Sequence, residues 1–282
     1  MAKKKIIIPI LLTGTLGLIG YFGYQGYLYV HSDNAQVDAR TLMLSAKVGG
    51  YVTEVKADFG DLVKAGDIVA KLDDRDFKSN LDRATADRDS INVRLQDAQK
   101  SYRRMAALAE KGASTQAQLD AASAQLNELK ARQAASNSQV SLAELNLAYA
   151  EIRAPFDGFI ARRAVQPGQL VAPGSPLFGF VEARERWVTA NLKETELEGL
   201  KIGSAVEVKV DGVPGRVFTG TIAQFSPVTG ATFALIPPDN ATGNFTKVVQ
   251  RVPVKIALSS LSPDDERLLR VGMSAEVKIH RR

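Results

Sequence analysis

The spacing of apolar residues changes several times along the 282-residue chain. Residues 6–30 carry no formal charge, and among them only Gln25 is strongly polar. A helix of that length would span roughly 37 Å, enough to cross a bilayer with some tilt. Residues 1–5, with Lys3 to Lys5, therefore read as a cytoplasmic tail and residues 6–30 as a transmembrane anchor, with everything after it on the far side of the membrane. Tyr21, Phe22, Tyr24, Tyr27 and Tyr29 crowd the far end, where aromatic rings favour the lipid-water interface. No small-residue cleavage site follows the run, which argues against a removed signal peptide.

From Gly50 the pattern changes to short apolar runs punctuated by glycine, and it is written twice. A shift of 108 carries Gly50, Gly60 and Gly66 onto Gly158, Gly168 and Gly174. The same shift carries Val52, Leu62, Val63 and Val69 onto Ile160, Leu170, Val171 and Leu177, and Ala46 onto Ala154. Equal glycine spacing beside alternating apolar residues predicts the same tight turns between the same short strands, with all six glycines as turn residues. Two copies are too few for a solenoid, so residues 46–73 and 151–181 read as the halves of one small β-sandwich.

Between the halves, residues 74–150 contain no proline and one glycine, Gly112. Phe77, Leu81, Ala84, Ile91, Leu95, Ala98, Tyr102 and Met105 step by three and four before it; Leu119, Ala122, Leu126, Leu129, Val140, Ala143, Leu147 and Ala150 do so after it. That is coiled-coil spacing. Partners across the two series, such as Phe77 with Leu147 and Leu95 with Leu129, are equidistant from Gly112, as an antiparallel helical hairpin reversing there requires. Thr115 with Gln118 has the form of a capping box opening the second arm. Each arm of about 36 residues would reach roughly 54 Å. Arg88, Gln133 and Ser136 leave a polar patch in mid-seam, more often a register or oligomer device than a site. Because hairpin ends lie side by side, the two halves can close into one sandwich at its base.

The last third alternates again. "RWVTANL", "AVEVKV", "FTGTIAQF", "VPVKIAL" and "SAEVKIH" are separated by Gly, Pro and Asp, which predicts a small antiparallel β-barrel over residues 182–282. Residues 36–45 supply its expected first strand. The fold class is thus mainly β, with a long α-helical coiled-coil hairpin inserted into the sandwich.

Composition narrows the function by exclusion. The net charge of +5 is modest, basic residues are scattered beyond Lys3 to Lys5, and no aromatic residues interleave with them, so nucleic acid is not an expected partner. The absence of cysteine excludes disulfides, thiolate metal sites and a cysteine nucleophile. His31 and His280 stand far apart in sequence without ligand spacing, and no phosphate-binding loop is present, so neither a metal, a cofactor nor an enzymatic activity is predicted. Asp73, Asp74 and Asp76 cluster where a strand gives way to a helix, where acids favour the helix dipole.

"DNAQVDARTLMLSAKVGGYV", "DFGDLVKAGDIVAKLD", "EIRAPFDGFI" and "QPGQLVAPGSPL", in this order around the hairpin, resemble the HlyD family of membrane fusion proteins, the periplasmic adaptors of Gram-negative bacteria. The resemblance implies a lipoyl-like domain built from the two half-motifs, an inner-membrane location, an inner-membrane transporter and an outer-membrane TolC-like channel as partners, and homo-oligomers of three or six copies. "GATFALIPPDNATGNFTKVVQRVPVKI" and "WVTANLKETEL" look like EmrA-type multidrug efflux adaptors, which implies a major-facilitator exporter; an adaptor for an ABC export system is the alternative. In the family's tip motif an arginine, a leucine four residues on and a serine seven beyond that contact the channel. "RMAALAEKGAST" matches it with Arg104 and Leu108, with Thr115 in place of the serine and Ser114 beside it. Lipoyl and biotinyl carriers share the two-half sandwich and form a remote alternative. Their modified lysine lies on the joint between the halves, which the hairpin occupies here.

Overall fold

The computed structural model describes residues 28–230, 232, 248–259 and 261–281. The greater part of the expected anchor, and residues 233–247 of the last third, lie outside them. In chain order the elements begin with β1 (Tyr29–Asp38), β2 (Thr41–Ser45), β3 (Gly50–Val55), β4 (Leu62–Val63) and β5 (Ile68–Leu72). The helices α1 (Arg75–Glu110) and α2 (Gln116–Tyr149) follow, then β6 (Glu151–Arg153), β7 (Gly158–Arg163), β8 (Leu170–Val171) and β9 (Pro176–Glu182). The chain continues through β10 (Trp187–Lys193), β11 (Ala205–Val210), β12 (Val217–Phe225), β13 (Arg251–Leu258), α3 (Pro263–Leu268) and β14 (Ser274–His280). Two compact units result, Thr41–Val181 and the chain on either side of it.

The flanking unit is a closed six-stranded barrel in the order β1, β10, β13, β12, β11, β14. Its strands form because apolar residues recur every second position and so share one face of a pleated chain. In β11 Val206, Val208 and Val210 point into the core while Glu207 and Lys209 face out. Val37, Val188, Val254, Ile256 and Ile279 meet them inside. The expected barrel strand over 36–45 is divided: Gln36 to Asp38 end β1 in the barrel, whereas Thr41–Ser45 forms β2 and pairs with β9 in the other unit. Tyr29 and Val30, expected in the anchor, already belong to the barrel, paired with His280 and Ile279. Among the described residues no helix is long and apolar enough to cross a membrane.

The sandwich consists of two four-stranded sheets, β2-β9-β7-β4 and β6-β5-β3-β8. Its halves exchange strands reciprocally. Gly50 pairs with Val171 and Tyr51 with Leu170, and 108 positions on Gly158 pairs with Val63 and Phe159 with Leu62. The turn bonds repeat in the same way: Gly60 N–H donates to the Ile160 carbonyl and Gly168 N–H to that of Val52, at 2.8 and 2.7 Å. Gly66 and Gly174 donate likewise to Ala154 and Ala46, both at 2.8 Å. Gly60, Gly66, Gly168 and Gly174 have φ between +84° and +89°, a region open to glycine at little cost. Gly50 and Gly158, expected in turns, instead open strands β3 and β7 with ordinary φ. The core between the sheets is filled by Val52, Val69, Ile160, Leu177, Phe178 and Phe180, each large side chain worth about 1.5–3 kcal/mol on burial.

Strand β5 leads into α1 and α2 leads into β6, and β5 pairs with β6 through Ala70 with Ile152 and Lys71 with Glu151. That pairing closes the base of the helix pair. Two apolar clusters hold the arms together: Ala84, Val140 and Ala143 with Leu81, and Leu95, Leu126 and Leu129 with Ala98 and Tyr102. Between them Ser136 is buried and Gln133 Nε2 donates to Asn92 Oδ1 at 2.7 Å, so polar groups are bonded across the seam. Arg88 turns aside to Asp89 at 2.8 Å. Phe77, expected opposite Leu147, packs against the sandwich core.

Candidate functional site at the hairpin tip

The far end of the helix pair is a five-residue connection, residues 111–115, whose backbone is closed from both sides. Gly112 has φ +69°. Its N–H donates to the Ala109 carbonyl at 2.9 Å, and the Ala113 N–H donates to that of Leu108, also at 2.9 Å. This is the Schellman arrangement, which satisfies the last carbonyls of α1 and needs a left-handed residue at the glycine position. Thr115 then caps α2. Its Oγ1 accepts from the Gln118 N–H at 3.3 Å, while its own N–H donates to Gln118 Oε1 at 3.1 Å.

Arg104, Leu108 and Thr115 are all exposed at this end. Arg104 and Leu108 lie one helical turn apart on one face of α1. Arg104 has no ion-pair partner among the described residues. Leu108 presents a little over a third of its surface, and its carbonyl anchors the turn toward Thr115. Thr115 Oγ1 is committed as an acceptor but keeps its hydroxyl proton to donate. The sequence reading missed the part played by Ser114. Its half-buried hydroxyl donates to Gln118 Oε1 at 3.4 Å, supporting the capping residue from behind. A hydroxyl beside a capping box was the available signal.

Two acids where β5 gives way to α1 are held by neighbouring cations. Asp73 accepts from Arg75 Nε at 2.9 Å and from Nη2 at 2.5 Å, and these bonds hold its carboxyl down at about 2. Asp74 pairs with Lys78 at 2.8 Å. The fold brings His31 and His280 to neighbouring strands on either side of Tyr29, whose ring lies 6.4 and 5.0 Å from theirs.

Comparison with known proteins places this architecture. Residues 40–181 match the model of the CzcB-like barrel-sandwich hybrid domain, and residues 186–232 that of the CusB-like β-barrel domain. The colistin resistance protein EmrA of Acinetobacter baumannii is 32% identical over 99% of this chain and 95% of its own length. The fatty acid resistance protein FarA of Neisseria gonorrhoeae is 37% identical over 88% of this chain and 75% of its own. The multidrug export protein EmrA of Escherichia coli is 33% identical over 89% and 76%. Among solved structures, the membrane fusion protein Spr0693 of Streptococcus pneumoniae shares the fold with a TM-score of 0.67 at 16% identity, over 90% of this chain and 99% of that one. With its sandwich, its barrel and nearly its whole length accounted for by these relatives, the chain belongs to the membrane fusion protein family, among its EmrA-type members.

Proposed function

We propose that the chain is the periplasmic adaptor of a tripartite efflux assembly, linking an inner-membrane exporter to an outer-membrane channel. The observation that carries this reading is the near-complete alignment with a colistin resistance EmrA, alongside relatives named for multidrug export and fatty acid resistance. The exporter is of the major-facilitator type, driven by an ion gradient, and the channel is TolC-like. The uncharged run before Leu28 holds the chain in the inner membrane, with the body in the periplasm. The chain acts as a scaffold, several copies standing side by side as a trimer or hexamer around the export path. Tyr51, Leu62 and Leu170, left exposed on the sandwich, offer apolar surface to neighbouring copies.

In this reading Arg104, Leu108 and Thr115 dock the channel, the first as a charge, the second as an apolar knob and the third as a hydroxyl donor. Thr115→Ala is a poor test, because losing the cap alone costs about 1 kcal/mol. Arg104→Asp reverses an exposed charge and should shift stability by under about 0.5 kcal/mol. The expected result is loss of channel copurification and of drug resistance, with the inner-membrane exporter still bound. A folded variant that captures the channel at wild-type levels removes Arg104 from the contact. Capture of an ATPase-linked permease in place of a major-facilitator exporter reassigns the chain to the ABC systems.

A further inference from the structure

One end of the barrel carries features that docking of the hairpin tip does not use. There β1 begins, β14 ends and β11 begins: the Arg281 N–H donates to the Leu28 carbonyl at 2.8 Å, Tyr29 pairs with His280, and Val206 pairs with Ile279. The turn before β11 lies at the same end. Lys201 N–H donates to Ser204 Oγ at 3.2 Å, Gly203 has φ +86°, and its N–H donates to the Ile222 carbonyl at 2.8 Å, which leaves Ile202 at the apex. Ile202 is 68% exposed. Val248, 65% exposed, also stands at this end, because Gln250 beside it accepts from the Glu194 N–H where β10 finishes. The two most exposed large apolar side chains of the barrel unit's described residues are thus both at the end where the chain enters. Val217 and Leu268, at the other end, are less exposed.

Chain length adds a constraint. The uncharged run starts at Ile6, and Leu28 is already bonded to the barrel. Residues 6–27 as a helix would span about 33 Å, close to the roughly 30 Å hydrocarbon thickness. With that run as the membrane anchor, no linker is left over before the first barrel strand, and whatever lies beside Leu28 is held at the membrane surface.

We propose that this end of the barrel is a lipid-binding surface, with Ile202 inserted into the headgroup layer of the membrane that the N-terminal run enters and with Lys201 and Arg281 against anionic headgroups. The inference rests on the reading of that run as a membrane anchor. The chemistry suits the site: an apolar apex enters the interfacial layer, the exposed Lys201 reaches phosphate on its flexible stem, the half-buried Arg281 adds its charge beside it, and each basic residue near an anionic surface adds to the attraction. Tyr29, with Lys278 Nζ 4.1 Å over its ring, has the amphipathic form that favours this depth.

The full chain has no cysteine, so Ile202→Cys and, at the other end of the barrel, Val217→Cys each give a single labelling position. Each variant is labelled with an environment-sensitive fluorophore and reconstituted without partners into vesicles of phosphatidylethanolamine and phosphatidylglycerol. The vesicles are floated, and lipids brominated near the top of the acyl chain are introduced. The expected result is a loss of fluorescence and a blue shift at position 202, with neither at position 217. Position 202 quenched by aqueous iodide as strongly as position 217, on protein that floats, overturns the lipid surface while leaving the anchor in place. Shielding of position 202 from both quenchers overturns it in favour of a second copy covering this end. Protein that does not float overturns the anchor reading and the surface with it.

Discussion

Gly50 and Gly158 occupy equivalent places in the two halves of the sandwich, yet a methyl group would meet different surroundings at each. On Gly158 it would lie 2.5 Å from the Val181 carbonyl oxygen, whereas on Gly50 its nearest neighbour is the Leu72 Cβ at 3.7 Å. Gly158→Ala should therefore cost about 1–3 kcal/mol by overpacking against backbone, and Gly50→Ala should change stability by under about 1 kcal/mol. Urea unfolding of the two variants compares them, and equal costs would show that close approach is not why β7 opens with glycine. The 108-residue repeat identified all six glycines as three equivalent pairs. Spacing carries no record of φ, so a glycine needed for a turn and one needed for a tight contact look alike in sequence. Charge was similarly half legible. The acids before α1 read as helix-favouring, and Asp73 does accept from the N–H of Arg75, the first helical residue, at 3.2 Å; it also clamps the Arg75 guanidinium, which spacing did not show, and these bonds depress its carboxyl from 3.8 to about 2. A depressed carboxylate favours the folded chain above the ordinary range and loses that contribution as pH falls from about 4 toward 2. An NMR titration should place the Asp73 midpoint near 2, and in Arg75→Ala it should return toward 3.8; an unchanged midpoint would mean that Arg75 is not its cause.

At the scale of elements, the helical seam was legible because its partners are equidistant from Gly112. Ala84 and Val140 share one cluster, and Leu95 and Leu129 share the next. The contact of Phe77 with the sandwich was not legible, because heptad position records which face a residue occupies and not what else that face meets. At the base that face meets the sandwich core. Val93, Leu142 and Leu145 are apolar but exposed, off the seam. The tip was legible as a cap and a glycine turn, since both are chemical signatures with fixed spacing. What it binds was carried by resemblance alone. The polar stretch between the two clusters allows a test of how far seam and sandwich are independent. Deleting residues 86–92 together with 132–138 removes one heptad from each arm, brings the apolar clusters together and shortens the hairpin by about 10 Å. Helicity per helical residue and the urea midpoint should be retained, because register is conserved and the base pairing of β5 with β6 is untouched. Deleting only one of the two segments should lower the midpoint, since seven residues then lack partners. A paired deletion that unfolds the chain would show that the Gln133 to Asn92 bond, and not the apolar clusters, holds the arms.

At the scale of the whole molecule, the order of barrel, sandwich and helix pair among the described residues was legible in sequence and two boundaries were not. Residues that line a barrel core are as apolar as residues that face lipid, so hydropathy ran the anchor on through Tyr29 and Val30. Residues 36–45 look like one strand because Ala39 and Arg40 interrupt no apolar alternation, although the chain passes there from one unit to the other. The reciprocal exchange of strands in the sandwich also sets a timetable for the nascent chain. Strand β3 lacks its partner β8, and β4 lacks β7, until the second half has been synthesised. The intervening helices make local contacts and can fold early, whereas pairing across the insertion must wait. Until then the first half is a set of open strand edges, the kind of surface that aggregates with its neighbours. Completion of the hairpin therefore gates closure of the sandwich, and a chain arrested within α2 leaves unpaired strands in the envelope instead of a smaller working adaptor.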